Sequence, residues 1–154
     1  MALPDIRLLV PHAGPMVLLD RVLAADATSL CAEVTIRPDS VFCNVHDSGG
    51  GVGGWIGIEY MAQAIAAHAG YLALQRGEPV KVGFLLGARR YQCGCPLFKI
   101  GSVLQVHVEH VLQGENGLGS FECRITNQDE ELAVATVTVF QPANVEDFLQ
   151  GNAK

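Results

Sequence analysis

Residues Gly49 to Gly77 read GGGVGGWIGIEYMAQAIAAHAGYLALQRG, a glycine-rich loop running into one long apolar helix. From Trp55 to Leu72 the apolar and small residues are not confined to one stripe. Trp55, Ile56, Ile58, Met61, Ala62, Ala64, Ile65, Ala66 and Ala69 go most of the way round. Such a helix is wrapped by the rest of its protein rather than laid on the surface. It nonetheless carries a carboxylate, Glu59, in its first turns. An ionisable group on a helix expected to be buried needs a partner or a task. Glu59, Gln63 and His68 interrupt the stretch too often for a membrane span.

Composition sets the outer limits. A chain of 154 residues suffices for its own core, so residues 1–154 read as a single domain. A hydrophobic content of 49% with only 17% charged residues suits a compact fold with a large buried fraction or an oligomer interface. Pro4, Pro11 and Pro15 break up the opening residues, which therefore do not read as a signal peptide. The cytoplasm is the expected compartment. The five cysteines follow no framework spacing, which suggests reduced thiols. Cys93-Gly94-Cys95 is too tight for a zinc knuckle and has no second pair, so neither a metal nor a cofactor is expected. The net charge of −6 argues against nucleic acid as a partner.

The flanking elements follow from period and turn chemistry. Met16 to Leu23 reads as a strand, Asp26 to Ser29 as a turn, and Leu30 to Ile36 as a second strand. Asp39 to Gly54 reads as a long functional loop. The helix is expected to run to about Arg76, with Gly77 as its C-terminal stop. Lys81 to Tyr91, Ser102 to Leu112, Gly119 to Thr126 and Glu131 to Phe140 read as strands. In the third of these, Phe121, Cys123 and Ile125 point one way and Glu122, Arg124 and Thr126 the other. Glu115-Asn116-Gly117 and Asn127 to Glu130 mark hairpin turns, and Val145 to Leu149 a short helix or tail. Two strands, a helix and then a run of strands make an α+β fold. With the helix apolar nearly all round, a curved antiparallel sheet should wrap it in the hot-dog arrangement.

Three motifs carry a resemblance. Pro11-His12-x-x-Pro15-Met16-x-Leu18-Leu19-Asp20-Arg21-Val22 resembles the opening of the bacterial 3-hydroxyacyl-(acyl carrier protein) dehydratases. Val52 to Gln63 resembles their central helix, with its acid just ahead of Met61-Ala62-Gln63. Gly83-Phe84-Leu85-Leu86-Gly87-Ala88-Arg89-Arg90-Tyr91 is similar to their third-strand motif. The wording is nearest to a divergent branch of dehydratases, some of them in aryl-polyene-type pathways.

That resemblance implies elimination of water from a 3-hydroxyacyl thioester, giving a trans-2-enoyl thioester. The reaction needs a base for the α-proton, an acid for the departing hydroxyl, and donors for the carbonyl oxygen as it gains charge. Glu59 matches the family's acid. An apolar enclosure favours the neutral, proton-donating form of a carboxyl group. Gly54 and Trp55 would offer backbone N–H groups at the positive end of the helix dipole. Gln63, one turn after Glu59, would support the acid. The family's base is a histidine in a Gly-His-Phe-Pro-Gly loop. This chain instead has Asn44-Val45-His46-Asp47-Ser48-Gly49, with His46 thirteen residues before Glu59. Imidazole titrates near working pH, so His46 is the expected base. His12 reads as structural, His68 as a core or interface residue, and His107 as solvent-facing.

The substrate tail needs an apolar tunnel, for which Ile56, Phe84, Leu85 and Leu86 are candidates. An acyl carrier protein or coenzyme A thioester would need a local basic patch on this acidic chain, and Arg89, Arg90 and Lys99 could supply it. The resemblance also implies a homodimer, possibly assembled further, with the histidine of one subunit facing the acid of the other. Two alternatives remain open on the same fold: a thioester hydrolase and a non-catalytic acyl-thioester binder.

Overall fold

The structure, a computed structural model, describes residues 3–10, 14–46, 49–78, 84–113 and 118–140. Nine strands and one long helix carry the fold among these residues. The strands are β1 (Arg21–Ala25), β2 (Ser29–Thr35), β3 (Cys43–His46), β4 (Gly49–Gly53), β5 (Phe84–Cys93), β6 (Leu97–Lys99), β7 (Val103–Gln113), β8 (Leu118–Asn127) and β9 (Glu130–Phe140). Helix α1 (Gly57–Gln75) lies between β4 and β5, entered through a 3-10 turn at Gly54–Ile56. An antiparallel six-stranded sheet has the order β1-β2-β7-β8-β9-β5, and a three-stranded one the order β3-β4-β6.

Side-chain alternation decides which face of the large sheet meets the helix. Leu30, Ala32 and Val34 of β2, Leu104, Val106 and Val108 of β7, and Phe121, Cys123 and Ile125 of β8 are buried. They close over Tyr60, Met61, Ala64, Ile65 and Ala67 of α1 in one core. This is the sheet wrapped round a helix that the apolar periodicity requires. The ends are chemically specified. Asp26 Oδ1 accepts from the Thr28 and Ser29 N–H groups at 2.9 and 2.8 Å, turning β1 into β2. Gly77 adopts φ +70°, and the Glu78 N–H donates to the Ala73 carbonyl at 2.8 Å. A left-handed residue closing the last turn this way is the expected glycine stop.

Three expectations need correction. Met16 to Leu23 is not a continuous strand: Gly14–Met16 is a 3-10 turn, and β1 begins at Arg21. The amide of Gln63 takes the backbone groups that a neighbouring strand would have taken. Its Oε1 accepts from the Leu18 N–H at 2.8 Å, and its Nε2 donates to the Met16 carbonyl at 2.6 Å. Next, the long loop Asp39 to Gly54 contains the β3–β4 ribbon. Glycines show no alternation, yet they permit this pairing: a Cβ on Gly50 would lie 2.2 Å from the Asn44 carbonyl oxygen of β3. Finally, Trp55 is not enclosed by its own chain but is 69% exposed. The turn expected at Glu115 to Gly117 and the helix at Val145 to Leu149 lie outside the described residues. So does His12.

His68 is buried, as a core histidine should be. Its Nε2 lies 3.1 Å from the Asp26 carbonyl, which can only accept, so Nε2 carries the proton. The Phe121 ring meets it edge-on at 6.1 Å. Burial holds its pKa below the ordinary value, against the opposing pull of the Asp26 carbonyl and with help from nearby His110. The unfolded chain binds a proton at about pH 6.5, whereas the folded chain resists until lower pH. Stability is therefore complete above that pH and declines as pH falls through the window below it. Melting temperature recorded from pH 8 to pH 5 should drop on the acid side, and His68→Gln should flatten the drop. Half-buried His107, also shifted down by desolvation and by Arg124, adds in the same direction.

Candidate active site

The start of α1 is held by the segment between β5 and β6. Gly54 is buried, and its N–H donates to the Pro96 carbonyl at 3.0 Å. Its carbonyl accepts from the Gly57 N–H within the 3-10 turn and from the Tyr91 hydroxyl. A side chain here has nowhere to go: a Cβ would lie 2.4 Å from the Cys95 carbonyl oxygen and 2.9 Å from Cys93 Sγ. Of the two donors expected from sequence, Gly54 therefore has its N–H engaged by Pro96. Trp55 is the next along the turn. Gly53 precedes it and has no side chain with which to cap the helix.

Glu59 sits in the first turn of α1 and is exposed in the single chain. The enclosure expected from the apolar helix is not supplied by its own sheet. Gln63, one turn on, is 4% exposed and directs both ends of its amide to the lead-in before β1. Ile56 is buried in the core beneath the turn. The backbone of His46 ends β3 and pairs with Gly49 at the tip of the ribbon. The side chains of His46, Phe84, Leu85, Leu86 and Arg89 lie outside the described residues. The backbones of Phe84 and Leu85 pair with Phe140 and Val139 of β9. Arg90 on β5 and Lys99 on β6 are both exposed, on separate sheets.

Around the helix start lies an apolar surface. Phe42 is 48% exposed, and its ring stands 6.3 Å from that of Trp55. Large apolar side chains gathered in this way mark a surface meant to be covered. A groove of about 510 Å³ passes on the side of Tyr60, lined by Val17, Leu18, Val34 and Val41 with Arg7 and Arg37 at its rim. Burial pushes the Tyr60 phenol up to about 12. Another groove, of about 480 Å³, lies over β1, β2, β7 and β8 on the far face of the sheet, by Cys31, His107 and Arg124. It is remote from Glu59 in the topology and takes no part in the chemistry considered for the helix start.

Cys93 and Cys95 bring their sulfur atoms to 3.8 Å, and burial raises the Cys95 thiol to about 11. The Cys95 thiol is accordingly held protonated, and Cys93 Sγ packs beside Gly54. Among the described residues, no three of His, Cys, Asp and Glu gather closely enough to share a metal ion. Tyr91 went unassigned by sequence reasoning. The available signal was its chemistry: a tyrosine at an inward strand position needs a hydrogen-bond partner for its hydroxyl.

Comparison with known proteins agrees with this architecture. The family model for ApeP-like proteins, described as ApeP dehydratase, matches residues 4–150. The dehydratase heterocomplex ApeI:P from Xenorhabdus doucetiae contains a chain 34% identical to this one, with a TM-score of 0.87 over 99% of this chain and 100% of that one. A hypothetical thioesterase from Streptococcus pneumoniae TIGR4, solved with coenzyme A, gives a TM-score of 0.60 at 18% identity, covering 79% of this chain and 84% of its own. Cj0977, a sigma28-regulated virulence protein from Campylobacter jejuni, gives 0.58 at 13% identity, covering 90% and 89%. These last two share the hot-dog fold. No curated protein matches the chain. With one family model spanning nearly the whole length and a full-length structural counterpart, this hot-dog chain belongs to the ApeP-like dehydratase family.

Proposed function

We propose that this dehydratase eliminates water from a 3-hydroxyacyl thioester, carried on acyl carrier protein or coenzyme A, to give the trans-2-enoyl thioester. His46 takes the α-proton, and its electron pair moves toward the thioester carbonyl. Backbone N–H groups at the start of α1 hold the oxygen as charge builds there. The charge then returns, the bond to the 3-hydroxyl breaks, and Glu59 supplies the proton with which that oxygen departs as water. The observation that carries the reading is the position of Glu59. It is a carboxylate in the first turn of the central helix of an ApeP-like dehydratase, on a helix entered through exposed Trp55.

A second subunit would close this site. Strand β5 is ten residues long and forms one edge of the large sheet, where unpaired backbone groups invite another strand. Pairing there, with burial of Trp55 and Phe42, would desolvate Glu59 and bring up an imidazole from across the interface. A homodimer is the simplest such assembly. The relative from Xenorhabdus doucetiae is described as a heterocomplex, which favours a second reading in which a different hot-dog chain completes the site. Exposed Arg90 and Lys99, with Arg89, would meet an acidic carrier protein or the phosphates of coenzyme A.

The test is product analysis. The purified protein is incubated with 3-hydroxyacyl thioesters on carrier protein and on coenzyme A. Loss of one water by mass, with the thioester intact, is the expected result. Thiol release without an enoyl product would replace this reading with hydrolysis.

A further inference from the structure

We infer that Tyr91 is a positioning residue for dehydration, fixing the peptide whose N–H receives the thioester oxygen. The inference rests on the dehydratase reading of the helix start.

The Tyr91 hydroxyl donates to the Gly54 carbonyl. That carbonyl belongs to the same peptide unit as the Trp55 N–H. In a trans peptide the two groups point in opposite directions, so a bond that holds the carbonyl also aims the N–H. First-turn N–H groups point back out of the helix start, where an anion is received. A donor on the carbonyl also polarises the peptide and strengthens its N–H as a donor. The neighbouring peptide is held as well, since the Gly54 N–H is bonded to the Pro96 carbonyl at 3.0 Å. That bond removes Gly54 as a ready donor and leaves the oriented Trp55 N–H as the one the clamp serves.

Two glycines make room for the clamp. Gly54 has no space for a side chain against Cys95 and Cys93. A Cβ on Gly57 would lie 2.1 Å from the Tyr91 hydroxyl oxygen and 3.0 Å from Ile125 Cδ1. The hydroxyl thus fills a notch that only glycine leaves open, two residues before Glu59 on the same helix. Burial raises the Tyr91 phenol well above its ordinary range, so it remains a donor at all working pH values.

Tyr91→Phe removes the hydroxyl and keeps the ring. Turnover of a 3-hydroxyhexanoyl-N-acetylcysteamine thioester should fall about ten- to a hundredfold, less than the loss of an oxyanion donor outright, with KM within about twofold. A second readout is spectroscopic. In the inactive Glu59→Gln background, the infrared carbonyl band of the bound carbonyl-13C thioester should lie below that of the thioester in buffer. Adding Tyr91→Phe should move the band back toward the buffer position. Gly57→Ala, which displaces the hydroxyl while keeping Tyr91, should reproduce both effects, and it serves if Tyr91→Phe does not fold. Unchanged kcat and band position, or a rise in KM alone, overturns the role of Tyr91 while Glu59→Gln remains inactive. Full turnover in Glu59→Gln would instead overturn the reading of the site itself.

Discussion

Glu59→Gln is expected to lower dehydration turnover about a hundred- to ten-thousandfold, the range over which a positioned acid or base contributes. That loss corresponds to about 3–5 kcal/mol of barrier at about 1.4 kcal/mol per tenfold. The amide matches the carboxyl in shape and can still hydrogen-bond, but it cannot supply the proton with which water leaves. The structure makes this substitution a clean one. Glu59 is exposed in the single chain, outside the core that Tyr60, Met61 and Ala64 form on the same helix. Its contribution to the fold is a surface one, at most the favourable interaction of a first-turn carboxylate with the helix dipole, about 0.3–1 kcal/mol. Thermal unfolding of the variant should therefore stay within a few degrees of the parent. Retained turnover with an intact fold would remove Glu59 from the chemistry. A collapse of stability in step with activity would make it a structural residue.

Gly70→Ala is expected to destabilise the protein, against the usual sign of a glycine-to-alanine change in a helix. Helix propensity alone favours alanine by about 1 kcal/mol. Here the added Cβ would lie 2.0 Å from the Leu9 carbonyl oxygen and 2.9 Å from the Leu9 Cα. Those atoms are backbone, so no side-chain rotation relieves the contact. Either the helix or the opening segment must move, and that segment buries Ile6, Leu9 and Val10 against the core. Overpacking of this kind costs about 1–3 kcal/mol or more, and partial exposure of Leu9 adds part of the ~1.5–3 kcal/mol its burial supplies. A net loss of about 2 kcal/mol should lower the melting temperature by about 4–8 °C for a chain of this size. A melting temperature equal to or above that of the parent would show that the opening segment does not sit on Gly70.

The elements that proved legible in the sequence are those whose signal lies in their own spacing. The apolar surround of Met61, Ala64 and Ile65 announced a wrapped helix, and Gly77 marked its end. Alternation in β2 and β8 named the face that meets the helix. The turn after β8 followed from Asn127 to Glu130, where Gln128 adopts φ 57°. The β3–β4 ribbon was invisible because Gly49, Gly50, Gly51 and Gly53 have no side chains to alternate. Strand β6 is three residues long, too short to show a period.

By itself, then, the sequence determined one long helix inside an antiparallel sheet, with Glu59 in the first turn and a family resemblance attached to it. Periodicity reports how side chains divide between two faces of their own element, and that is enough for such a layered fold. Tertiary structure decided which distant groups meet. It sent the Gln63 amide to Leu18 and Met16, which lie 45 and 47 residues away, and the Tyr91 hydroxyl to Gly54, 37 residues away. It also left Trp55 and Glu59 on the outside of the single chain. The reason is that a hydrogen bond to a particular carbonyl depends on where two separate segments are brought, and no local pattern records that.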